Sequence, residues 1–153
     1  MQDILDIKIV LFLHLFSAVI WIGGMIAIRF TVHPSLQSID DPKIKFGKTL
    51  EIVGRLFNLV MPFIAILFIT ALIFILYFNF SGPLIHTKEA IITIMTINYA
   101  FMYIKRSKAQ KLFNQGRIKE AKEQVKLFAN FLLPINIILG VTAIYLGVIL
   151  NKG

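Results

Sequence analysis

The feature that most restricts this chain is its set of apolar runs. They cover roughly residues 5–30, 56–80, 84–104 and 127–150, and short polar clusters separate them. A helix needs ~20 apolar residues to cross ~30 Å of hydrocarbon, and each run reaches that length. Lipid offers no hydrogen bonds to a backbone, so spanning segments must satisfy their own and are expected to be helical. Only 16% of the 153 residues are charged and 58% are hydrophobic, whereas a soluble domain carries about 25% charged residues. The expected fold is therefore all-α: a single integral membrane domain over residues 1–153, a four-helix bundle of antiparallel up-down topology with short loops.

Asn79, Ser81, Gly82 and Pro83 form a turn signal between the second and third runs, and a connection that short makes its flanking helices neighbours. Pro62 and Pro134 are expected to kink the second and fourth spans. Thirteen of the sixteen Lys and Arg residues fall between Arg29 and Arg55 or between Lys105 and Lys126, leaving Lys8, Lys88 and Lys152 for the other side. Positive charge collects on the cytoplasmic side of membrane proteins. Loops 31–54 and 105–126 are accordingly expected in the cytoplasm of a bacterial inner membrane protein, with both termini outside. The net charge of +8 then marks loops and not a nucleic-acid partner. Residues 105–126 keep helical spacing, which predicts an extension of spans three and four, and their basic face suits anionic lipid.

Several chemistries find no residues to stand on. The absence of cysteine removes disulfides and thiolate sites. The first run is too long for a signal peptide. There is no phosphate-binding loop, no serine-centred triad and no pair of carboxylates within the spans.

An ionisable residue inside a bilayer is costly and points to function. His14 lies in the apolar stretch 9–16, and its face continues through Ser17, Ala18, Trp21, Gly24 and Met25. Either a metal or haem ligand or a packing histidine bonded to another helix fits that face. Gly23 and Gly24 would let a neighbour approach the backbone. His86 and Lys88 open the third run. His14 lies 15 residues from Arg29, while His86 and Lys88 lie 19 and 17 residues from Lys105. At ~1.5 Å per residue those depths agree within about 6 Å. Two nitrogen ligands on separate helices at one depth can hold a haem iron. His86 and Lys88 remain alternatives for the second position, since Lys requires a deprotonated amine. His33, Arg29 and Arg55 lie at the basic end, where guanidinium groups suit propionates or another anion. Asn58, Asn98, Asn130 and Asn136 are polar within the spans, and interhelical hydrogen bonds account for them. Met25, Met61, Met95 and Met102 suit copper(I) by softness, but without a close cluster they read as core filling.

The stretch Leu13-His14-Leu15-Phe16-Ser17-Ala18-Val19-Ile20-Trp21-Ile22-Gly23-Gly24 resembles the first helix of the HemJ/CopD-like membrane families, and its Trp-x-Gly-Gly form looks more like CopD. Arg29-Phe30-x-x-His33 resembles the end of that helix in HemJ, Met61-Pro62 is similar to a Met-x-Pro of the second helix, and Leu84-Ile85-His86-Thr87-Lys88 resembles the opening of the third. The resemblance implies haem b bound by His14 as a metal ligand, with His86 as a second metal ligand or Lys88 as a catalytic partner. Trp21, Arg29 and Arg55 would contact the cofactor, and the activity would be redox, related to protoporphyrinogen oxidase. Asn98-Tyr99 stands where HemJ has a Tyr-His pair. That shifts the expectation toward a haem-binding relative in electron transfer, with quinone or porphyrinogen as partner. Copper handling of the CopD kind and a ligand-free assembly subunit are the alternatives, and a homo-oligomer stays open. The topology has a direct test: a reporter fused after Gly153 is expected outside, and a cytoplasmic reporter would overturn the orientation.

Overall fold

A computed structural model describes residues 2–79 and 81–150. Phe80, the expected end of the second span, and Lys152 lie outside the described residues. Among those described there is no strand, and the chain forms four long helices.

Helix α1 covers residues 2–36. It runs as an α-helix over Gln2–Ala27, widens into a π turn at Ile28–Val32 and closes with His33–Leu36. Proline explains the widening. Pro34 has no N–H, and its ring would collide with the carbonyl four residues back. In the wider turn the His33 N–H reaches five residues back to the Ile28 oxygen. Helix α2 is Pro42–Leu76. Asp41 caps it, accepting hydrogen bonds from the Lys43 and Ile44 N–H groups at 2.8 and 3.3 Å, and Pro42 starts the first turn, where a missing N–H costs nothing.

The turn into the third helix needs Asn79 at φ 56° and Gly82 at φ 129°, the latter a conformation essentially reserved for glycine. Helix α3 is Pro83–Asn114. Gly116 at φ 79° ends it: the Gly116 N–H bonds the Phe113 oxygen and the Arg117 N–H bonds the Leu112 oxygen, which is the Schellman arrangement. Helix α4 covers residues 118–150, with a second π turn at Phe128–Leu132 just before Pro134. Pro62, by contrast, sits inside an uninterrupted α2.

The expected loop bounds change. Residues 31–54 are not a long loop; only 37–41 are non-helical, because α1 continues to Leu36 and Pro42 already opens α2. The hydropathy boundary near residue 56 marks where apolar character begins, whereas the Asp41 cap and Pro42 mark where the helix begins. Residues 105–126 are helical extensions as expected, interrupted only at 115–117.

Three helical stretches, Ile4–Leu36, Pro42–Leu76 and Ile118–Ile149, are long and apolar enough to cross a membrane. Helix α3 is not among them. His86, Lys88, Glu89 and Asn98 break up its apolar run. It packs on both α2 and α4, and α1 packs on α2 and α4. The surface carries exposed Ile9, Phe12, Val19, Leu72 and Ile138, a distribution that suits lipid and not water.

The core contains Trp21, Met25, Leu50, Met95 and Met102. Two close crossings set the helix spacing. Ile22 of α1 fills the space beside Gly140 of α4. The Arg106 guanidinium of α3 lies over Gly54 of α2 and donates twice to the Leu50 oxygen, at 3.1 and 2.9 Å. A side chain at position 54 would displace that guanidinium. Gly54→Val is therefore expected to lower stability by about 1–3 kcal/mol, read as a lower thermal midpoint of the detergent-solubilised protein.

Candidate functional site

His14 is buried, 7% exposed, on the inner face of α1. Its Nδ1 lies 2.7 Å from the Thr70 hydroxyl of α2. The Thr70 oxygen also lies 2.8 Å from the Ile66 carbonyl and 3.0 Å from the Leu67 carbonyl. Both are acceptors only, and the single hydroxyl proton can go to one of them or to the ring. With the proton donated to a carbonyl, Thr70 accepts from the His14 Nδ1–H and the ring lone pair lies on Nε2. Among the described residues nothing bonds to that Nε2. Phe74 meets the ring edge-on at 5.8 Å and holds its orientation.

The remaining helices contribute at the same level. Lys88 of α3 is half-buried and close enough to act electrostatically on His14. Its ammonium lies against Gly147 of α4, 3.2 Å from where a Cβ there would stand. No carboxylate pairs with Lys88 among the described residues. Further along the His14 face, the Ser17 hydroxyl and the Trp21 indole N–H are buried with no hydrogen-bond partner among the described residues. Each such atom costs about 1–3 kcal/mol when left unmet. Trp21 packs edge-on against Tyr99, whose hydroxyl donates to the Phe57 carbonyl.

The expected residues do not all meet. His14, Trp21 and Lys88 point inward or sit half-buried. His86 faces out, with a side chain 71% exposed and its Nδ1 3.5 Å from Glu89. Arg55 is 82% exposed and pairs with Glu51. Arg29 and His33 instead line a separate cleft at the basic end. Gly24 is filled by Leu56, while nothing approaches Gly23. The amides act in pairs. Asn98 donates to Asn136, which donates to the Met95 carbonyl, at 2.9 and 3.0 Å. Asn58 accepts from Tyr103. Met25, Met95 and Met102 are buried and Met61 is exposed. No group of three His, Cys, Asp or Glu comes together among the described residues, so any metal here would rest on His14 and non-acidic neighbours.

Thr70 was the residue that sequence reasoning missed. Its signal was available: it is the one polar side chain within Ile66–Ile73.

No protein-family model matches the chain, and no solved structure matches it. A protein of Aquifex aeolicus (strain VF5), described only as an uncharacterized protein, is 30% identical over 150 residues, covering 95% of this chain and 96% of the relative.

The Asn98–Asn136 pair gives a test of what holds α3 to α4. Asn136→Leu removes both hydrogen bonds and is expected to cost about 1 kcal/mol. Asn130→Leu, at an exposed position on the same helix, is expected to change the thermal midpoint little.

Proposed function

The chain belongs to the same family as the Aquifex aeolicus protein, and for it we propose a membrane protein that holds haem b through His14 and works in electron transfer. One observation carries this reading: buried His14 is held through Nδ1 by the Thr70 hydroxyl at 2.7 Å, and among the described residues its Nε2 has no partner. Ligating histidines commonly donate their other ring N–H in this way, and the partner sets ring orientation and ligand strength. The residues around His14 suit a bound group. Trp21 and Ser17 bring buried polar hydrogens that lack a partner among the described residues, and Gly147 leaves room for the Lys88 head.

Bound haem would supply one-electron transfer. The chain would supply the rest. His14 would hold the group, and Phe74, edge-on to the imidazole, keeps that ring from rotating. Lys88 is the better second partner than His86, because it sits at the level of His14 while His86 turns to Glu89. Its amine can ligate when neutral or hold a proton when charged. The exposed apolar surface keeps the site within lipid, where quinone or porphyrinogen would reach it.

In this reading the helices run up and down, both termini lie outside and the basic ends face the cytoplasm. The thirteen-to-three distribution of Lys and Arg supports that orientation. The pairings of His14 with Thr70 and Gly24 with Leu56 support opposite directions for the first two helices.

An absorption spectrum of the purified, hemin-supplemented protein is the test. A Soret band is expected, lost in His14→Ala. Thr70→Val should retain haem about 10- to 100-fold less tightly, as loss of an outer partner does. Lys88→Ala should shift the spectrum and His86→Ala should not. A protein that takes up no hemin would overturn the proposal and leave copper handling or an assembly role.

A further inference from the structure

The basic end of the molecule holds a second feature, remote from His14. A cleft of about 320 Å³ opens between α1, α2 and α4, within the lower range of small-molecule pockets. Both π turns border it. Arg29 comes from the first and His33 directly follows it, Lys45 comes from the start of α2, and Lys122 and Lys126 come from the helical turns that lead into the second. A π turn inserts a residue into a helix and re-aims the side chains beside it, and such turns are frequent at functional sites.

The lining is divided by chemistry. Phe46, Val53, Val125 and Leu133 form a buried apolar floor. The polar part carries four Lys or Arg side chains and no acidic residue. None of Arg29, Lys45, Lys122 and Lys126 pairs with a carboxylate among the described residues; Lys45 gives one hydrogen bond to Gln37, at 3.3 Å. Glu51 is used by Lys48 and Arg55 and Asp41 by the α2 cap, while Asp40 and Glu123 do not line the cleft. Positive charge that is left uncompensated above an apolar floor matches one class of ligand, an anion with a hydrocarbon tail. Basic pockets between membrane helices on the cytoplasmic side take anionic lipid headgroups.

We propose that this cleft binds an anionic membrane lipid, with its phosphate against Arg29, Lys45, Lys122 and Lys126 and an acyl chain along the Phe46–Val125 floor. Inorganic phosphate would meet the cations but gain nothing from the floor. A zwitterionic lipid would fill the floor but bring no net charge. Phe30 and Phe131 on the two π turns are exposed apolar side chains, which suits entry from the bilayer at this end.

Native mass spectrometry of the full chain in neutral detergent tests this. The unaltered protein should retain one phosphatidylglycerol in preference to phosphatidylcholine. Each cation near a lipid surface is worth about fivefold in affinity, so Arg29→Gln with Lys126→Gln should weaken retention about thirtyfold. Lys108→Gln with Lys111→Gln removes equal charge outside the cleft and should change it less than twofold. Ala129→Phe keeps every charge, fills the floor and should abolish retention. Equal retention of the two lipids, equal loss in the two charge variants, full retention by Ala129→Phe, or complete displacement by millimolar phosphate would each overturn the proposal. The lipid comparison needs no variant, so misfolding cannot mask it. Neither His14 nor haem enters the readout, so this proposal and the haem reading fail separately.

Discussion

Lipid gives a polar group nothing to bond with, and the arrangement of this chain follows from that requirement. Apart from the Ser17 hydroxyl and the Trp21 N–H on the face of His14, the hydroxyls, amides and guanidinium carried into the apolar interior among the described residues reach another helix or their own backbone. Thr70, Thr96 and Thr142 satisfy themselves on the carbonyl four residues back. Asn136, fully buried, needs both Asn98 and the Met95 carbonyl. These bonds are individually modest, but each fixes which helix must lie beside which.

Helix α3 shows the consequence most clearly. It is the least apolar of the four, and alone it would be a poor resident of a bilayer. Its polar side chains are directed at neighbours: Tyr99 to the Phe57 carbonyl, Tyr103 to Asn58 and Arg106 to the Leu50 carbonyl, all on α2, and Asn98 to Asn136 on α4. The polarity that weakens its claim as an independent span is the same polarity that fastens it between two more apolar helices. Lys88 belongs to this set by position yet has no carboxylate among the described residues, and it stands next to the buried histidine.

Much of this was legible in the sequence because it depends on composition along the chain. Apolar runs, the Asn79–Pro83 turn and the buried face of His14 and Trp21 all follow from local pattern. Helix ends were less legible, since α1 and α2 extend well past the apolar stretches and are fixed by Asp41, Pro42 and Pro34. The direction of side chains near helix ends was not legible either. His86 and Lys88 are two residues apart, hence on different faces of α3, and matching depth alone did not distinguish the one turned to Glu89 from the one turned inward. Arg29 and Arg55 both looked available to an anion, and only the fold separates the cleft-lining Arg29 from the exposed Arg55.

The two prolines that follow the π turns explain why the cleft is where it is. Pro34 and Pro134 each remove a backbone hydrogen bond near the basic end of an outer helix, and each helix widens one turn earlier to accommodate the ring. That widening moves side chains of α1 and α4 off the regular packing pattern just where α2 begins with Lys45 and Phe46. Along α1, Arg29 is 15 residues from His14, about 22 Å at 1.5 Å per residue. A charged headgroup at the cleft therefore has no direct reach to the imidazole. The chain keeps the positive charge of the cleft and its buried histidine at separate levels of α1.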